Sequence, residues 1–590
     1  MNVAEYLVSY LEERKIDKVF GVVGGAALWI CKALSESTKI TPIFTNHEQA
    51  ATMAADGWAR ITGKPGIVFS INGPGMTNTV TGIAQAWVDS SPVILITGNS
   101  NLRSIQYERE NGVRQYGTQD VRTDEIMKSI TKKTFLLESA EDAIRCFEEA
   151  FEICLTGRPG PVCIEIPINV QSAEMPVDRI YNVTERREDW QKFNEQEIVE
   201  LLNKAERPLI LAGQGVRLSG ATELFRNFIH RYQIPVVNSR MGIDSITSND
   251  LLYVGRAGNH GSRAAHFAIQ TCDVLLILGS RLAPNTTGYD VSKFSTQSYK
   301  ILVEIDGSEL QKFGLEMNRT IHIDLKKFLN EMNKFEFGEV NKNRSTWIKR
   351  CNQWKQSYPI MQEKYYLNPK ISTYRVVEEI SRLAGENDLI LSDTGSCCSI
   401  VAQVWNVKEK QRVFISGGLS AMGYWVTSMG ISLANDGMGQ VICFVGDGSL
   451  QMNIHELATI KTYGLPIKIF VITNNGYQFV RMSQSAYGMN PPFGTDSKSG
   501  VPIPNIRRVV EAYNLSYVSC DSLDSLIGTI EKVLESEQTE VCEIFVDENQ
   551  EVCPRLKSVA LEDGTFVSPK YENLYPFLDK EILKKELEDI

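Results

Sequence analysis

Short apolar runs alternate with helical patterns along nearly the whole chain. The run 66–71 reads GIVFSI and precedes a helical pattern near 77–88, and the runs 441–448 and 467–475 enclose another at about 453–463. Short runs of this kind are typical of buried strands, and helices between them indicate crossover connections. The pattern therefore predicts an α/β fold made of doubly wound parallel sheets.

Ten apolar runs are predicted to contain strands, and they fall into three groups. The groups are 18–22, 66–71, 92–98 and 157–167; 207–216, 272–281 and 300–309; and 388–395, 441–448 and 467–475. Polar stretches at 170–190 and 330–345 separate these groups, as linkers would. The expected division is an N-terminal domain (1–170), a central domain (190–335), a C-terminal domain (365–555) and a polar tail (556–590).

Composition and charge narrow the class of protein. The 590 residues are 43% hydrophobic and 23% charged, as in globular proteins, and the net charge of −11 offers no basic surface to nucleic acid. No segment approaches the roughly 20 apolar residues that a membrane helix needs. The chain begins with an amphipathic pattern and not with a signal peptide, and its 12 cysteines form no C-x-x-C motif. These features predict a reduced, cytoplasmic protein without nucleic-acid or membrane partners.

A carboxylate and an amide follow two successive strands of the third group. Asp447 lies between Gly446 and Gly448, directly after one apolar run, and Asn474 follows the next run 27 residues later. Doubly wound sheets build ligand sites at the carboxyl ends of their strands. Carboxylate, amide and main-chain oxygens suit Mg²⁺, and the helix that opens at Ser449 has free N–H groups that favour phosphate. Taken singly, the same residues are also what an ordinary turn and loop contain.

The pair at this spacing resembles the signature of thiamine diphosphate-dependent enzymes, which starts with G-D-G and ends with N-N. Five other segments resemble the acetolactate synthase-like version of that family. They are VVGGAAL (22–28), NHEQAATMAADGWARITGKPG (46–66), NGPGMTN (72–78), GRPGPV (157–162) and SGGLSAMGYW (416–425). The resemblance covers about residues 1–550. It implies three α/β domains, which are pyrimidine-binding, nucleotide-binding-like and diphosphate-binding in that order.

The resemblance also implies roles for individual residues. Asp447, the side chain of Asn474 and the carbonyl of Gly476 would bind Mg²⁺. Glu48 would protonate the aminopyrimidine of a cofactor held by another chain, so the protein would be a homodimer or homotetramer with active sites between subunits. The residues expected nearest the reacting carbon are Gly25, Ala26 and Gln119. Those expected to hold cofactors are Gly395, Ser396, Ser420, Met422, Gly446, Gly448, Ser449, Asn474 and, in the central nucleotide cleft, Arg281.

Four positions depart from the acetolactate synthase pattern. Ser396 and Cys397 replace Q-H after the glycine of the C-terminal domain, and a serine can still bond a phosphate oxygen. Asn285 stands where an arginine grips the carboxylate of the second 2-oxo acid, and Ser483 stands where a tryptophan walls the acceptor pocket. Losing a bidentate carboxylate clamp weakens a 2-oxo acid acceptor. The departures therefore favour a larger acceptor that has no carboxylate.

The resulting hypothesis is a thiamine diphosphate- and Mg²⁺-dependent decarboxylating carboligase. It would take a 2-oxo acid such as pyruvate and add the two-carbon acyl unit to a carbonyl acceptor, for example a keto sugar nucleotide. The alternatives are acetolactate synthase itself, a 2-oxo acid decarboxylase or acyl-CoA lyase, and a catalytically silent cofactor-binding or assembly protein. The central cleft would hold FAD, with ADP or no ligand as its alternatives. The presence of Glu48, Asp447 and Asn474 argues against a silent protein.

Overall fold

The computed structural model describes residues 1–176, 190–312, 314–335, 341–560 and 565–588. Its three main sheets each have six strands, and every strand pair in them is parallel. The predicted doubly wound α/β fold is confirmed. Most of the predicted linker 170–190 and the five residues 336–340 of the second polar stretch lie outside the described residues.

The N-terminal sheet has the order β2-β1-β3-β4-β6-β5. Its strands are β1 (Lys18–Gly21), β2 (Thr41–Phe44), β3 (Gly66–Ile71), β4 (Val93–Asn99), β5 (Lys133–Leu136) and β6 (Val162–Pro167). Its helices are Val3–Glu13, Leu28–Glu36, Glu48–Thr62, Pro74–Val88, Leu102–Asn111, Thr123–Met127, Glu141–Leu155 and Ile168–Gln171. The central strands β4 and β6 are buried along their whole length, as the near-continuous apolar runs predict for a sheet covered on both faces.

The central sheet has the order β12-β11-β10-β7-β8-β9. Its strands are β7 (Pro208–Ala212), β8 (Val236–Asn238), β9 (Tyr253–Arg256), β10 (Val274–Leu278), β11 (Tyr299–Glu304) and β12 (Arg319–His322). Its helices are Glu195–Lys204, Gly215–Leu218, Thr222–Tyr232, Arg263–Thr271, Pro284–Thr287, Leu325–Met332 and Arg344–Ser357. The last of these helices packs Trp347 and Trp354 into the same apolar core as the sheet, so the central unit continues past residue 335.

The C-terminal sheet has the order β14-β13-β15-β16-β18-β17. Its strands are β13 (Leu389–Ser392), β14 (Arg412–Ile415), β15 (Val441–Gly446), β16 (Ile467–Thr473), β17 (Ser516–Cys520) and β18 (Glu540–Phe545). Its helices are Glu363–Leu367, Thr373–Leu383, Ser396–Val404, Thr427–Ala434, Asp447–Leu450, Leu457–Tyr463, Gln478–Ala486, Ile506–Ala512 and Leu523–Glu535. A two-stranded antiparallel pair, β19 (Val559–Ala560) with β20 (Phe566–Val567), and the helix Lys580–Glu588 follow.

Two helices join the N-terminal and C-terminal domains through small residues. A Cβ atom on Gly430 would lie 1.7 Å from the carbonyl oxygen of Ala54, and one on Gly57 would lie 2.4 Å from that of Thr427. The helices Glu48–Thr62 and Thr427–Ala434 therefore cross with their backbones in contact. This close packing fixes the start of the first helix, where Glu48 lies, relative to the C-terminal sheet.

None of the helices in the described part of the chain is both long and apolar enough to cross a membrane.

Candidate active site

A cavity of about 1180 Å³ lies between the C-terminal and central domains and is also lined by Asp89, Gly157 and Arg158 of the N-terminal domain. Ten of the residues predicted from the sequence to bind a cofactor or metal line this cavity. They are Gly395, Ser396, Ser420, Met422, Gly446, Gly448, Ser449, Asn474, Gly476 and Arg281. Asp447 is buried between two of these lining glycines. The candidate residues of the C-terminal domain thus lie together although they come from four separate loops.

Asp447 directly follows β15, and its carboxylate receives main-chain N–H groups from two loops. The Gly448 N–H donates to Oδ1 at 2.8 Å, and the Gly476 N–H donates to Oδ2 at 3.0 Å. Burial raises the pKa of Asp447 to about 6, and these hydrogen bonds oppose the rise. Asp447 therefore holds the loop after β16 against the end of β15.

The side-chain oxygen of Asn474 is buried and has no partner among the described residues. Its amide nitrogen donates to the Gln478 side chain at 3.2 Å, and Gln478 in turn donates to the Gln550 carbonyl at 2.7 Å. Arg481 donates to the carbonyls of Asn474 and Asn475 at 2.7 and 2.8 Å. Gln478 and Arg481, which sequence reasoning did not identify, thus fix the orientation of this loop. A buried unpaired oxygen of this kind can accept a ligand.

The donor set around Asn474 suits a hard cation. Within the described ranges no group of three His, Cys, Asp or Glu side chains is arranged to hold a metal ion. A cation here would instead use one carboxylate, one amide oxygen and main-chain carbonyls, with other ligands from phosphate and water. That set fits Mg²⁺ and does not fit zinc, which prefers nitrogen and sulfur ligands.

Asp393 links three loops around the cavity, a role that was not predicted from the sequence. Its buried carboxylate accepts the Ser449 hydroxyl at 2.8 Å and the Trp425 N–H at 3.1 Å. Ser449 also accepts the Gly423 N–H at 2.8 Å. Burial raises the pKa of Asp393 to about 6. Cys397 is buried and burial raises its thiol pKa, so it is a packed residue and not a reactive thiolate.

The N-terminal domain of the same chain supports the loop that carries Ser420 and Met422. The N–H groups of Gly417 and Gly418 donate to the Asp89 carboxylate at 2.9 and 2.7 Å. Arg60 pairs with Asp89 at 3.2 Å and with Asp56 at 2.8 Å, and all three side chains are buried. These contacts hold the loop from the side of the cavity that faces the N-terminal domain.

The remaining four candidates, Glu48, Gly25, Ala26 and Gln119, do not line the cavity and lie in the N-terminal domain. Glu48 accepts the Asn78 side-chain N–H at 2.9 Å.

Two glycines of the turn 72–75 lie close to Glu48 and to Gln119. A Cβ atom on Gly75 would lie 3.3 Å from the Glu48 carboxylate, and one on Gly73 would lie 2.3 Å from the Gln119 carbonyl oxygen. Gly73 and Gln119 both have positive φ angles, of 62° and 66°. The structure therefore places these candidates of the N-terminal domain in a second group, outside the cavity.

A chain of buried polar side chains lies behind the Gln119 loop. The Asn72 amide donates to Asp120 at 3.1 Å and to Asn99, and Asn99 donates to Glu165. Asp120 follows Gln119 directly, so the chain anchors the loop to the ends of β3, β4 and β6. Burial raises the pKa of Glu165 to about 7. None of these four residues was predicted from the sequence.

We predict that Glu165→Gln flattens the dependence of stability on pH. The folded-state pKa of about 7 exceeds the ordinary value of 4.5, so the folded protein holds this proton more tightly than the unfolded chain. Its contribution is complete below pH 4.5 and is lost as the pH rises through 7, a change of about 3 kcal/mol. Unfolding midpoints between pH 5 and 8 should fall more steeply in the wild type than in the variant. Glu141→Gln, at an exposed position, is the control, and parallel profiles would refute the prediction.

Comparison with known proteins identifies the class. Models of the thiamine pyrophosphate enzymes match the N-terminal TPP binding domain at residues 1–126, the central domain at 196–332 and the C-terminal TPP binding domain at 393–544. Each match falls within the part of the chain that forms one of the three sheets, although the first ends before β5 and β6 and the third begins after β13. The protein is thus a thiamine diphosphate-dependent enzyme that forms C–C bonds.

Full-length relatives narrow the class further. The chain is 31% identical over 559 residues to the acetolactate synthase large subunit of Lactococcus lactis, covering 94% of both chains. It is 31% identical over 566 residues to a probable acetolactate synthase large subunit of Methanocaldococcus jannaschii, covering 93% of this chain and 92% of that one. It is 29% identical over 581 residues to the chloroplastic acetolactate synthase of Arabidopsis thaliana. The chain belongs to the acetolactate synthase-like family of thiamine diphosphate enzymes.

Proposed function

We propose that this protein is a Mg²⁺-dependent decarboxylating carboligase that takes a 2-oxo acid, pyruvate first among candidates, and adds its two-carbon acyl unit to a carbonyl acceptor without a carboxylate. A keto sugar nucleotide is such an acceptor. The observation that supports the proposal most directly is the oxygen ligand set of Asp447 and Asn474 beside a large cavity. The central-domain wall of that cavity carries the neutral side chain of Asn285.

Bound thiamine diphosphate supplies a carbanion equivalent, and the chain's own residues bind and orient it. Asp447, Asn474 and the Gly476 carbonyl would hold Mg²⁺, and the unpaired Asn474 oxygen fits that role. Ser396 and Ser449 lie in the first turns of helices that line the cavity, where N–H groups and the Ser396 hydroxyl can bind a diphosphate, whereas the Ser449 hydroxyl is engaged by Asp393. Met422 lines the same space and would shape the bound cofactor.

We propose that a second copy of the chain completes the site, which makes the protein a homodimer or homotetramer. Glu48, Gly25, Ala26 and Gln119 do not line the cavity of their own chain. Large apolar side chains are exposed in both halves, and they are Val23, Leu28, Trp29 and Phe44 in the N-terminal domain and Val480, Tyr487, Met489 and Phe493 in the C-terminal domain. Such exposed side chains are typical of surfaces that another chain covers.

We propose further that the central part of the cavity binds FAD. A cavity of about 1180 Å³ exceeds the roughly 300–1,000 Å³ of an ordinary ligand pocket and leaves room for a second cofactor. It extends past Gly215, Arg240 and Glu304 of the central domain. Asp306, at the end of β11, is paired with Arg158 at 3.0 Å and so closes one side of the cleft.

A second candidate function is acetolactate synthase itself, with pyruvate as donor and acceptor. The observation in its favour is Arg281, which lines the cavity and has no carboxylate partner among the described residues. A guanidinium in this position can bind the carboxylate of a 2-oxo acid. A 2-oxo acid decarboxylase or acyl-CoA lyase would use the same donor half of the site.

The test is CO₂ release and product mass from the purified protein with thiamine diphosphate, Mg²⁺ and pyruvate, with and without a keto sugar nucleotide. We expect slow release that the sugar accelerates, with two carbons added to the sugar. Rapid formation of acetolactate without sugar would establish the second candidate. No release in either reaction would refute pyruvate as the donor and direct the search to other 2-oxo acids.

A further inference from the structure

The cavity wall contains two asparagine side chains that pair with each other. Asn259 donates to the side-chain oxygen of Asn285 at 3.2 Å, and the Asn259 main-chain N–H donates to the Asn285 carbonyl at 2.8 Å. The side-chain oxygen of Asn259 is buried and has no partner among the described residues. The side-chain NH₂ of Asn285 likewise makes no hydrogen bond that the described residues show. The amide pair thus offers one free donor next to one free acceptor.

A hydroxyl group both donates and accepts, whereas a carboxylate only accepts. A neighbouring amide donor and amide acceptor therefore match the hydroxyl groups of a sugar. They do not match a carboxylate, whose oxygens would face the Asn259 oxygen. This part of the cavity wall is therefore suited to binding neutral ligands that carry hydroxyl groups.

The C-terminal tail holds this wall from behind. The Tyr571 hydroxyl donates to the Thr286 carbonyl at 2.8 Å, next to Asn285, and the Leu556 N–H donates to the Asn259 carbonyl at 2.8 Å. The His266 ring lies between the Tyr571 carbonyl, 2.6 Å from Nδ1, and the Gly258 carbonyl, 3.0 Å from Nε2, and its single N–H donates to one of them. The rings of His266 and Tyr571 stack with their centroids 4.0 Å apart. The tail thus contacts the main chain beside both asparagines.

The tail is itself firmly attached to the central domain. Arg263 donates to the carbonyls of Leu574 and Pro576. Glu586 accepts hydrogen bonds from Arg350 at 3.0 Å, Trp354 at 2.8 Å and Tyr358 at 3.0 Å. Gly258 has φ +110°, and a Cβ atom there would lie 2.3 Å from the Asn285 carbonyl oxygen. The wall can therefore form only with glycine at this position.

We propose that Asn259 and Asn285 determine acceptor specificity by forming hydrogen bonds with hydroxyl groups of the acceptor. Tyr571 and His266 are then positioning residues, which hold the asparagine pair in place through the C-terminal tail. The inference rests on the proposed carboligase function, because it concerns the acceptor side of that site. The inference also gives the C-terminal tail a role in acceptor specificity. The proposed reaction does not itself require the tail.

The test compares two acceptors of similar size, dihydroxyacetone and 2-oxobutanoate, mixed with saturating pyruvate, thiamine diphosphate and Mg²⁺. The wild type should form more product from dihydroxyacetone. Asn285→Arg should shift the product ratio toward 2-oxobutanoate by at least tenfold, because a guanidinium can bind its carboxylate. An unchanged ratio in this variant would overturn the specificity role.

Tyr571→Phe keeps the ring stack on His266 and removes the hydroxyl that bonds Thr286. The KM for dihydroxyacetone should rise about fivefold, the equivalent of one hydrogen bond, with kcat changed less than twofold. Tyr575→Phe removes another tail hydroxyl, whose one hydrogen bond to the described residues goes to Glu551 at 3.3 Å, and should leave the KM unchanged. Equal KM values in the wild type and Tyr571→Phe would overturn the positioning role.

Failure of the proposed function can be recognised separately. If the wild type releases no CO₂ from pyruvate, saturation-transfer NMR on the same proteins measures acceptor binding without turnover. Stronger transfer to dihydroxyacetone than to 2-oxobutanoate, reversed in Asn285→Arg, would then support the inference alone. Equal transfer to both compounds in both proteins would refute it.

Discussion

Glu48→Gln should abolish turnover while thiamine diphosphate and Mg²⁺ remain bound. The glutamine keeps the size of the side chain and its contact with Asn78, but it cannot exchange a proton with the cofactor. General acid and base catalysis is worth on the order of 10²–10⁴ in rate, so kcat should fall by that factor or more. The measurements are CO₂ release from pyruvate and a cofactor titration followed by fluorescence quenching. Glu36→Gln, an exposed change on the neighbouring helix, is the control.

A mixing experiment shows which chain supplies Glu48. In the proposed homodimer, Glu48→Gln and Asp447→Asn should each be inactive, because every site lacks one half. In a heterodimer of the two variants, one site receives both wild-type halves and the other receives neither. Equal mixing with subunit exchange should therefore restore about a quarter of wild-type activity. Absence of any recovery after demonstrated exchange would mean that both halves come from a single chain.

The inner strands of the fold were predictable because they are buried on both faces. All ten strands placed from the sequence are present, and the strands that were missed include every edge strand, β2, β5, β9, β12, β14 and β17. Edge strands such as β5 and β12 are only half buried and mix polar with apolar residues, so their pattern resembles a loop. The inner strands β8 and β18 were also missed. The first has three residues, and the second carries two glutamates, Glu540 and Glu543.

The candidate site was predictable where its chemistry depends on short motifs. G-D-G and N-N fix Asp447 and Asn474 by local sequence, and both follow strands that were recognised. The two buried carboxylates that hold other parts of the cavity wall, Asp393 and Asp89, were not predictable, because each acts over a long distance along the chain. Asp393 reaches Ser449 across 56 positions, and Asp89 reaches Gly418 across 329. Nothing in the local pattern around these carboxylates distinguishes them from surface residues.

The attachment of the C-terminal tail was likewise not predictable from the sequence. Residues 556–590 read as a polar, acid-rich segment, whereas Tyr571 and Leu583 are buried against the central domain. Two apolar side chains in a charged sequence form no periodic pattern, so only the tertiary contacts reveal the attachment. Residues from the end of the chain therefore pack as part of the central domain.

Asp447→Asn should remove Mg²⁺ and, with it, tight binding of thiamine diphosphate. The amide oxygen can still accept the Gly448 and Gly476 N–H groups, so the loop should keep its fold, but the negative charge is gone. Leaving a buried cation without its charged partner costs about 3–5 kcal/mol, which corresponds to on the order of 10²–10³ in affinity. Cofactor titrations at several Mg²⁺ concentrations measure this loss directly, and thermal midpoints without Mg²⁺ show whether the fold is intact.

Two further variants separate the charge of Asp447 from the geometry of the loop. Gln478→Met leaves all three proposed ligands in place but frees the Asn474 amide, so Mg²⁺ affinity should fall only 10–100-fold. Asp436→Asn, in an exposed loop, should bind both cofactors as the wild type does. Wild-type affinity in Asp447→Asn would place the metal elsewhere. A loss in Gln478→Met as large as that in Asp447→Asn would mean that loop geometry, and not the carboxylate charge, dominates metal binding.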